Sequence, residues 1–136
     1  MPWIGEKLTM NKEIADKLWI EIPEAMAFRH LRNFKMLAGR AKSHGTHVGI
    51  EHVGHQLSEL GNLHDIGIDY LKIDASFVRE VDENSGNQTL LRTLCTVGHS
   101  IGVQVFAEGV RTDEEWATLK ELGADGATGP GISLPE

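Results

Sequence analysis

At 136 residues, 40% hydrophobic and 24% charged, the chain has the make-up of one soluble globular domain or part of one. Its net charge of −7 argues against a protein that tracks DNA or RNA, yet leaves room for a small phosphorylated ligand met by a metal or one placed lysine. No apolar run nears the ~20 residues that cross a bilayer, and Met1-Pro2-Trp3-Ile4 lacks a secretory signal's basic start, which points to the cytoplasm without direct membrane insertion.

There is no low-complexity segment, linker or sequence-level repeat; short apolar strands alternate with amphipathic helices. Leu8 to Lys17 reads as a helix feeding Leu18-Trp19-Ile20-Glu21, a buried strand closed by Pro23. A helix over about residues 28–42 follows, with Leu31, Phe34 and Leu37 recurring at threes. His47-Val48-Gly49-Ile50 is the next strand, Leu57 to Ile66 the next helix, and Tyr70-Leu71-Lys72-Ile73 a third strand. The helix from Asn87 to Ile101 sets Leu90, Leu91, Leu94, Val97 and Ile101 on one face. It carries the lone cysteine, Cys95, which its apolar neighbours mark as a core thiol with no disulfide partner. Val103 to Ala107 is a fourth strand. Thr112-Asp113-Glu114-Glu115 is a capping box, in which Thr112 and Glu115 satisfy each other's free amides. It opens a helix striped by Trp116, Leu119 and Leu122 and stopped by Gly123. A short last strand near Gly126-Ala127 precedes Thr128-Gly129-Pro130-Gly131.

Strand–helix alternation implies parallel strands joined by helical crossovers, hence an α/β fold: an open doubly wound sheet or a piece of a β/α barrel. The strand ends favour the barrel. Four successive strands finish with an acid, namely Glu21, Glu51, Asp74 and Glu108. Parallel strands share one carboxyl-end rim, where barrels build their chemistry. Carboxylates converging there repel unless a proton or cation intervenes, and hard oxygen ligands suit Mg²⁺, Mn²⁺ or Ca²⁺. The plainer account is that such acids cap helices and begin turns. Lys72 shares a face with Asp74, and an inward lysine needs a carboxylate or a phosphate. Gly54, Gly109, Gly129 and Gly131 follow strand tips, where backbone can approach a ligand closely. His52 and His55 share a loop, but no full zinc ligand set accompanies them.

These stretches resemble the EAL family of cyclic di-GMP phosphodiesterases. Trp19-Ile20-Glu21-Ile22-Pro23-Glu24 is similar to the family's E-I-T-E strand, and Tyr70 to Val78 (Y-L-K-I-D-A-S-F-V) to its L-K-I-D-x-S-F-V. Ala107-Glu108-Gly109-Val110 matches A-E-G-V, Leu122-Gly123-Ala124-Asp125 matches L-G-x-D, and Ser133-Leu134-Pro135 looks like the closing S-x-P. The resemblance implies a modified eight-stranded β/α barrel that cuts one phosphodiester of cyclic di-GMP through a water on Mg²⁺ or Mn²⁺. By position it makes Glu21 a metal ligand, Lys72 an orienting group for water or phosphate, and Glu108 a member of the carboxylate shell, with Asp74 beside them.

Several positions depart from the family pattern. Its paired aspartates are Glu51 and His52, the second loop glycine is missing from Gly54-His55-Gln56, the acid of E-G-V-E is Arg111, and the glutamine of Q-G-Y/F is Thr128. Imidazole is a poor ligand for Mg²⁺. The E-A-L signature and the early strand with the metal-binding asparagine are missing, so residues 1–136 are expected to be the C-terminal part of a barrel, with about five strand–helix units. Open strand edges would then call for a homo-oligomer or an N-terminal half. The expected function is a degenerate domain in cyclic di-GMP signalling that binds or regulates without hydrolysis, in the cytoplasm or in the cytoplasmic part of a membrane-anchored protein. Asp74, Arg111, Thr128, Gly129 and His52 are its expected ligand-binding residues, and Glu21, Glu51 and Glu108 its metal set. The alternatives are an active phosphodiesterase when full length, with Lys72 and Glu108 catalytic and Mg²⁺ or Mn²⁺ bound, and a dimerisation scaffold with no ligand.

Overall fold

Five short strands lie side by side in chain order, every neighbouring pair parallel. They are β1 (Trp19–Pro23), β2 (His47–Val53), β3 (Tyr70–Ile73), β4 (Gln104–Ala107) and β5 (Gly126–Ala127). The computed structural model describes residues 19–130; Leu8 to Lys17, Gly131 and Ser133 to Pro135 fall outside them. The linking helices are α1 (Glu24–Arg29), α2 (Leu31–Ser43), α3 (Ala75–Val78), α4 (Ser85–Ser100) and α5 (Asp113–Leu122), with 3₁₀ turns at Leu57–Leu63 and Val81–Glu83. Such a layered α/β sheet is what the alternating pattern predicts.

One sheet face packs on the helices. Ile20, Ile22, Val48, Ile50, Leu71, Ile73, Val105 and Ala107 meet Ala38, Leu91, Leu94, Leu119 and Leu122 in a continuous buried core. Burying one such aliphatic side chain is worth about 1.5–3 kcal/mol. Cys95 is part of this core, and burial pushes its thiol up to about 11. The opposite face carries Glu21, Gly49, Tyr70, Lys72 and Phe106. Gly49 pairs in register with Tyr70, and a Cβ on it would stand 2.2 Å from the Tyr70 ring, so the phenol lies flat where residue 49 has no side chain.

Three elements differ from expectation for local reasons. The helix expected over 28–42 is two, broken at His30, whose ψ of 52° leaves the helical range. The segment expected as an α-helix from Leu57 is a 3₁₀ turn, because Leu57, Leu60, Leu63 and Ile66 recur at intervals of three, the period of that tighter coil. β2 continues past Ile50 to Val53 through a bulge at Glu51-His52, with His52 at a φ of 59°.

At the amino ends of the strands the fold repeats a device. In Gly67-Ile68-Asp69, the Asp69 N–H donates to the Val48 carbonyl at 2.7 Å, and the Val48 N–H donates back to the Asp69 carboxylate at 2.7 Å. In Gly123-Ala124-Asp125, the same two-way clamp joins Asp125 to Val105, at 2.7 and 2.8 Å. Lys42 Nζ (2.6 Å) and His99 Nε2 (2.7 Å) complete the two carboxylates. The repeat is structural, with only Gly-x-Asp in common.

Candidate functional site

Because all strands run one way, their carboxyl ends form one rim, and the strand sequences place acids there. Asp74 and Glu108 follow β3 and β4 directly, their N–H groups donating to the Val53 and Ile73 carbonyls. Glu21 is not at a strand tip: it sits mid-strand, between buried Ile20 and Ile22, which turns it to the face opposite the core. Its carboxylate pairs with Lys72 Nζ and accepts the Tyr70 hydroxyl at 2.8 Å. Burial opposes ionisation of Glu21, but the bonds from Lys72 and Tyr70 outweigh it and hold its pKa below the ordinary value. The same burial, then Glu21, pushes the Tyr70 phenol far up, so it is a fixed donor.

The bulge in β2 turns His52 outward and over the rim. His52 Nδ1 lies 3.1 Å from both Asp74 Oδ1 and Glu108 Oε1, while its Nε2 is 3.8 Å from Glu51 Oε2. His55 Nε2 is 3.3 Å from Asp74 Oδ2, its ring against Phe77 at 4.8 Å, and the Ser76 hydroxyl also donates to Asp74. Burial first, then neighbouring acids, raises Glu108 and Glu51 above the ordinary carboxylate range despite the pull of His52. His52 is disfavoured as a cation by burial, but Glu108, Glu51 and Asp74 outweigh this and raise its pKa. For Asp74, bonds from Ser76 and His55 overcome burial and lower it.

The rim therefore gathers Glu21, Glu51, His52, Lys72, Asp74 and Glu108. Among the described residues, the donor atoms of Glu51, His52 and Glu108 lie within 4.8 Å of one another, near enough to share an ion. His55 is not in that set, in keeping with the incomplete zinc ligand set of His52 and His55 in the sequence. Arg111 is exposed; its N–H donates to Glu115 at 2.8 Å, and it forms no ion pair with the rim carboxylates among the described residues. Thr128 is half-buried beside β4, its N–H donating to Ala107 and its carbonyl accepting from Val110, both at 2.9 Å. Gly129 is glycine for the protein's own sake: a Cβ there would stand 2.4 Å from Val110 backbone. Gly54 likewise yields to the Phe77 ring, at 2.4 Å from its would-be Cβ.

Two buried acids, Glu24 and the capping-box Glu115, hold the rim loops, a role the sequence did not show. Glu24 accepts from the N–H groups of Gly54, His55 and Gln56 at 3.1–3.3 Å, fixing the segment after His52. Its signal was a charged residue just after a buried strand and Pro23. Glu115 departs from the reciprocal box: Thr112 Oγ1 takes the Glu115 N–H at 3.0 Å, but the Glu115 carboxylate takes the N–H groups of Arg111 (2.8 Å) and Glu80 (2.7 Å). It thereby ties the loop after β4 to the turn after α3.

A sequence model of the EAL domain matches residues 1–135. The RNase E specificity factor CsrD of Escherichia coli (strain K12) is 26% identical over 128 residues, covering 93% of this chain and 20% of that protein. PaMucR phosphodiesterase in its c-di-GMP complex has a TM-score of 0.83 at 23% identity, over 97% of this chain and 54% of that one. Klebsiella pneumoniae BlrP1 in a manganese/cy-diGMP complex has a TM-score of 0.79 at 26% identity, over 94% and 33%. The chain thus spans about half, or less, of the proteins it matches. Among the described residues, no helix is long and apolar enough to cross a membrane.

Proposed function

The chain belongs to the EAL domain family of cyclic di-GMP signalling proteins, with its TIM-barrel-like fold, and from that premise we propose that it is a degenerate member that binds cyclic di-GMP without cutting it. The observation that carries this reading is His52, a ring nitrogen at the centre of the rim, 3.1 Å from Asp74 and from Glu108. Hydrolysis in this family's manner needs hard oxygen ligands around a metal-bound water. Here Glu21 is engaged by Lys72 and Tyr70, Asp74 by Ser76 and two histidines, and an imidazole stands among the carboxylates that remain. Binding needs less. In this reading Lys72 and Arg111 meet phosphate, while Asp74, His52, Thr128 and Gly129 flank the nucleotide. That a matched relative is named as a specificity factor agrees with a regulatory role.

A second reading, an active phosphodiesterase when full length, draws on Glu21, Glu51, Lys72 and Glu108 converging on one rim and on the manganese in the BlrP1 complex. Calorimetry with cyclic di-GMP, with and without Mg²⁺ or Mn²⁺, and chromatography of the products separate the two. Binding without a linear dinucleotide is expected. No binding under any condition sinks the ligand-binding reading, and steady release of linear product establishes the second.

A further inference from the structure

We propose that the outer face of α2, with the adjoining α1, docks peripherally on an anionic lipid surface. The chain carries a net charge of −7, yet no Asp or Glu falls between Ala25 and Ile50, where Arg29, Arg32, Lys35, Arg40 and Lys42 all lie. α2 has two unlike faces. Phe34, Ala38 and Ala41 are buried in the core, while Arg32, Met36 and Arg40, four residues apart, stand in one exposed row with Lys35 beside it. Lys42 is committed to Asp69 at 2.6 Å, and Lys35 reaches Asp65 only at 4.0 Å. Among the described residues, Arg29, Arg32 and Arg40 pair with no carboxylate. Met36 is 66% exposed, the most of any large apolar side chain described, and Met26 on α1 is 39% exposed. A side chain at Gly39, nearly one turn on, would meet nothing within 4 Å, so nothing from that position shields Met36. Unpaired cations around a bare, flexible thioether suit a bilayer interface, where acidic headgroups meet the charges and the methionine reaches the acyl boundary. A nucleic-acid backbone would meet the cations but give Met36 nothing to bury against.

The rim takes no part, so this inference stands or falls apart from cyclic di-GMP binding. The full chain is sedimented with vesicles of phosphatidylcholine alone or with about 30% phosphatidylserine. Binding is expected with the anionic vesicles, at least about tenfold weaker with the neutral ones, and lost at about 1 M salt, where the screening length falls to about 3 Å. The triple variant Arg32→Gln, Lys35→Gln, Arg40→Gln is expected to bind about 100-fold more weakly, at about fivefold for each cation near the surface. Met36→Ser is expected to weaken binding about tenfold. A second triple variant, Arg79→Gln, Arg92→Gln, Lys120→Gln, removes the same charge from exposed positions outside α2 and stays within about threefold of the parent. All seven side chains are exposed, so the variants keep the fold, which far-ultraviolet circular dichroism checks. Equal binding to neutral vesicles, equal loss in the two triple variants, or no vesicle binding, with or without uptake of poly-glutamate or duplex DNA, overturns the proposal.

Discussion

At the amino ends of the strands, Asp69 and Asp125 each commit a carboxylate to a backbone amide and to basic side chains, Lys42 and His47 for Asp69 and His99 for Asp125. At the carboxyl ends, Glu51, Asp74 and Glu108 crowd around His52. The pKa directions follow. Asp69 is lowered, its bonds to Lys42 and Val48 overcoming burial, while Glu51 and Glu108 are raised, burial and mutual repulsion both favouring the proton. One end of the sheet uses acids to hold itself together. The other keeps acids that would be more stable with company.

The contrast is sharpest at Glu24, a rim-side acid used in the amino-end manner. Glu24→Ala leaves three amides without their acceptor and is expected to cost about 3 kcal/mol in urea denaturation, the largest effect here. Next, Asp69→Ala or Asp125→Ala opens one clamp and should cost about 2 kcal/mol each, additively, since the two clamps share no partner. An equal cost from substituting Glu51 or Glu108, the acids of the crowded cluster, would break the comparison.

Acid separates the ends by sign. A carboxylate lowered on folding, as Asp69 and Glu115 are, contributes stability above its unfolded pKa that is lost as pH falls towards its folded value. The raised Glu51 and Glu108 do the reverse: stability declines as pH rises from the ordinary carboxylate value through their raised ones. In melting curves against pH, Asp69→Asn should flatten the acid limb, and Glu108→Gln the drift just above it. The smallest effect is expected from Glu51→Gln, within about 0.5 kcal/mol of the parent and in the stabilising direction, because it removes one like charge from the cluster.

Much of this was legible in the sequence because it follows from period and position. Alternation located five parallel strands, and direction alone brought Glu21, Lys72, Asp74 and Glu108 to one end. The position of Glu21 within its strand was not legible, since Trp19-Ile20-Glu21-Ile22-Pro23 reads on past it only when its pairing with β2 is known. The bulge at Glu51-His52 was hidden because it depends on how β3 registers against β2, a relation between distant segments. Glu24 and Glu115 looked like ordinary helix-start acids, since what distinguishes them, backbone amides from other loops, is set by tertiary contact. The Gly-x-Asp clamps were too short to register as a repeat.

Gly49 has no chemistry of its own, yet the ionisation of the rim passes through it. With hydrogen in place of a methyl group, the Tyr70 ring settles onto the strand and its hydroxyl arrives at Glu21. An alanine at that point would wedge the aromatic ring upward, withdraw the phenol's hydrogen bond, and leave Lys72 as the main group keeping Glu21 charged. A residue with no side chain thus works as a spacer of zero thickness, setting from within the sheet how firmly Glu21 keeps its charge.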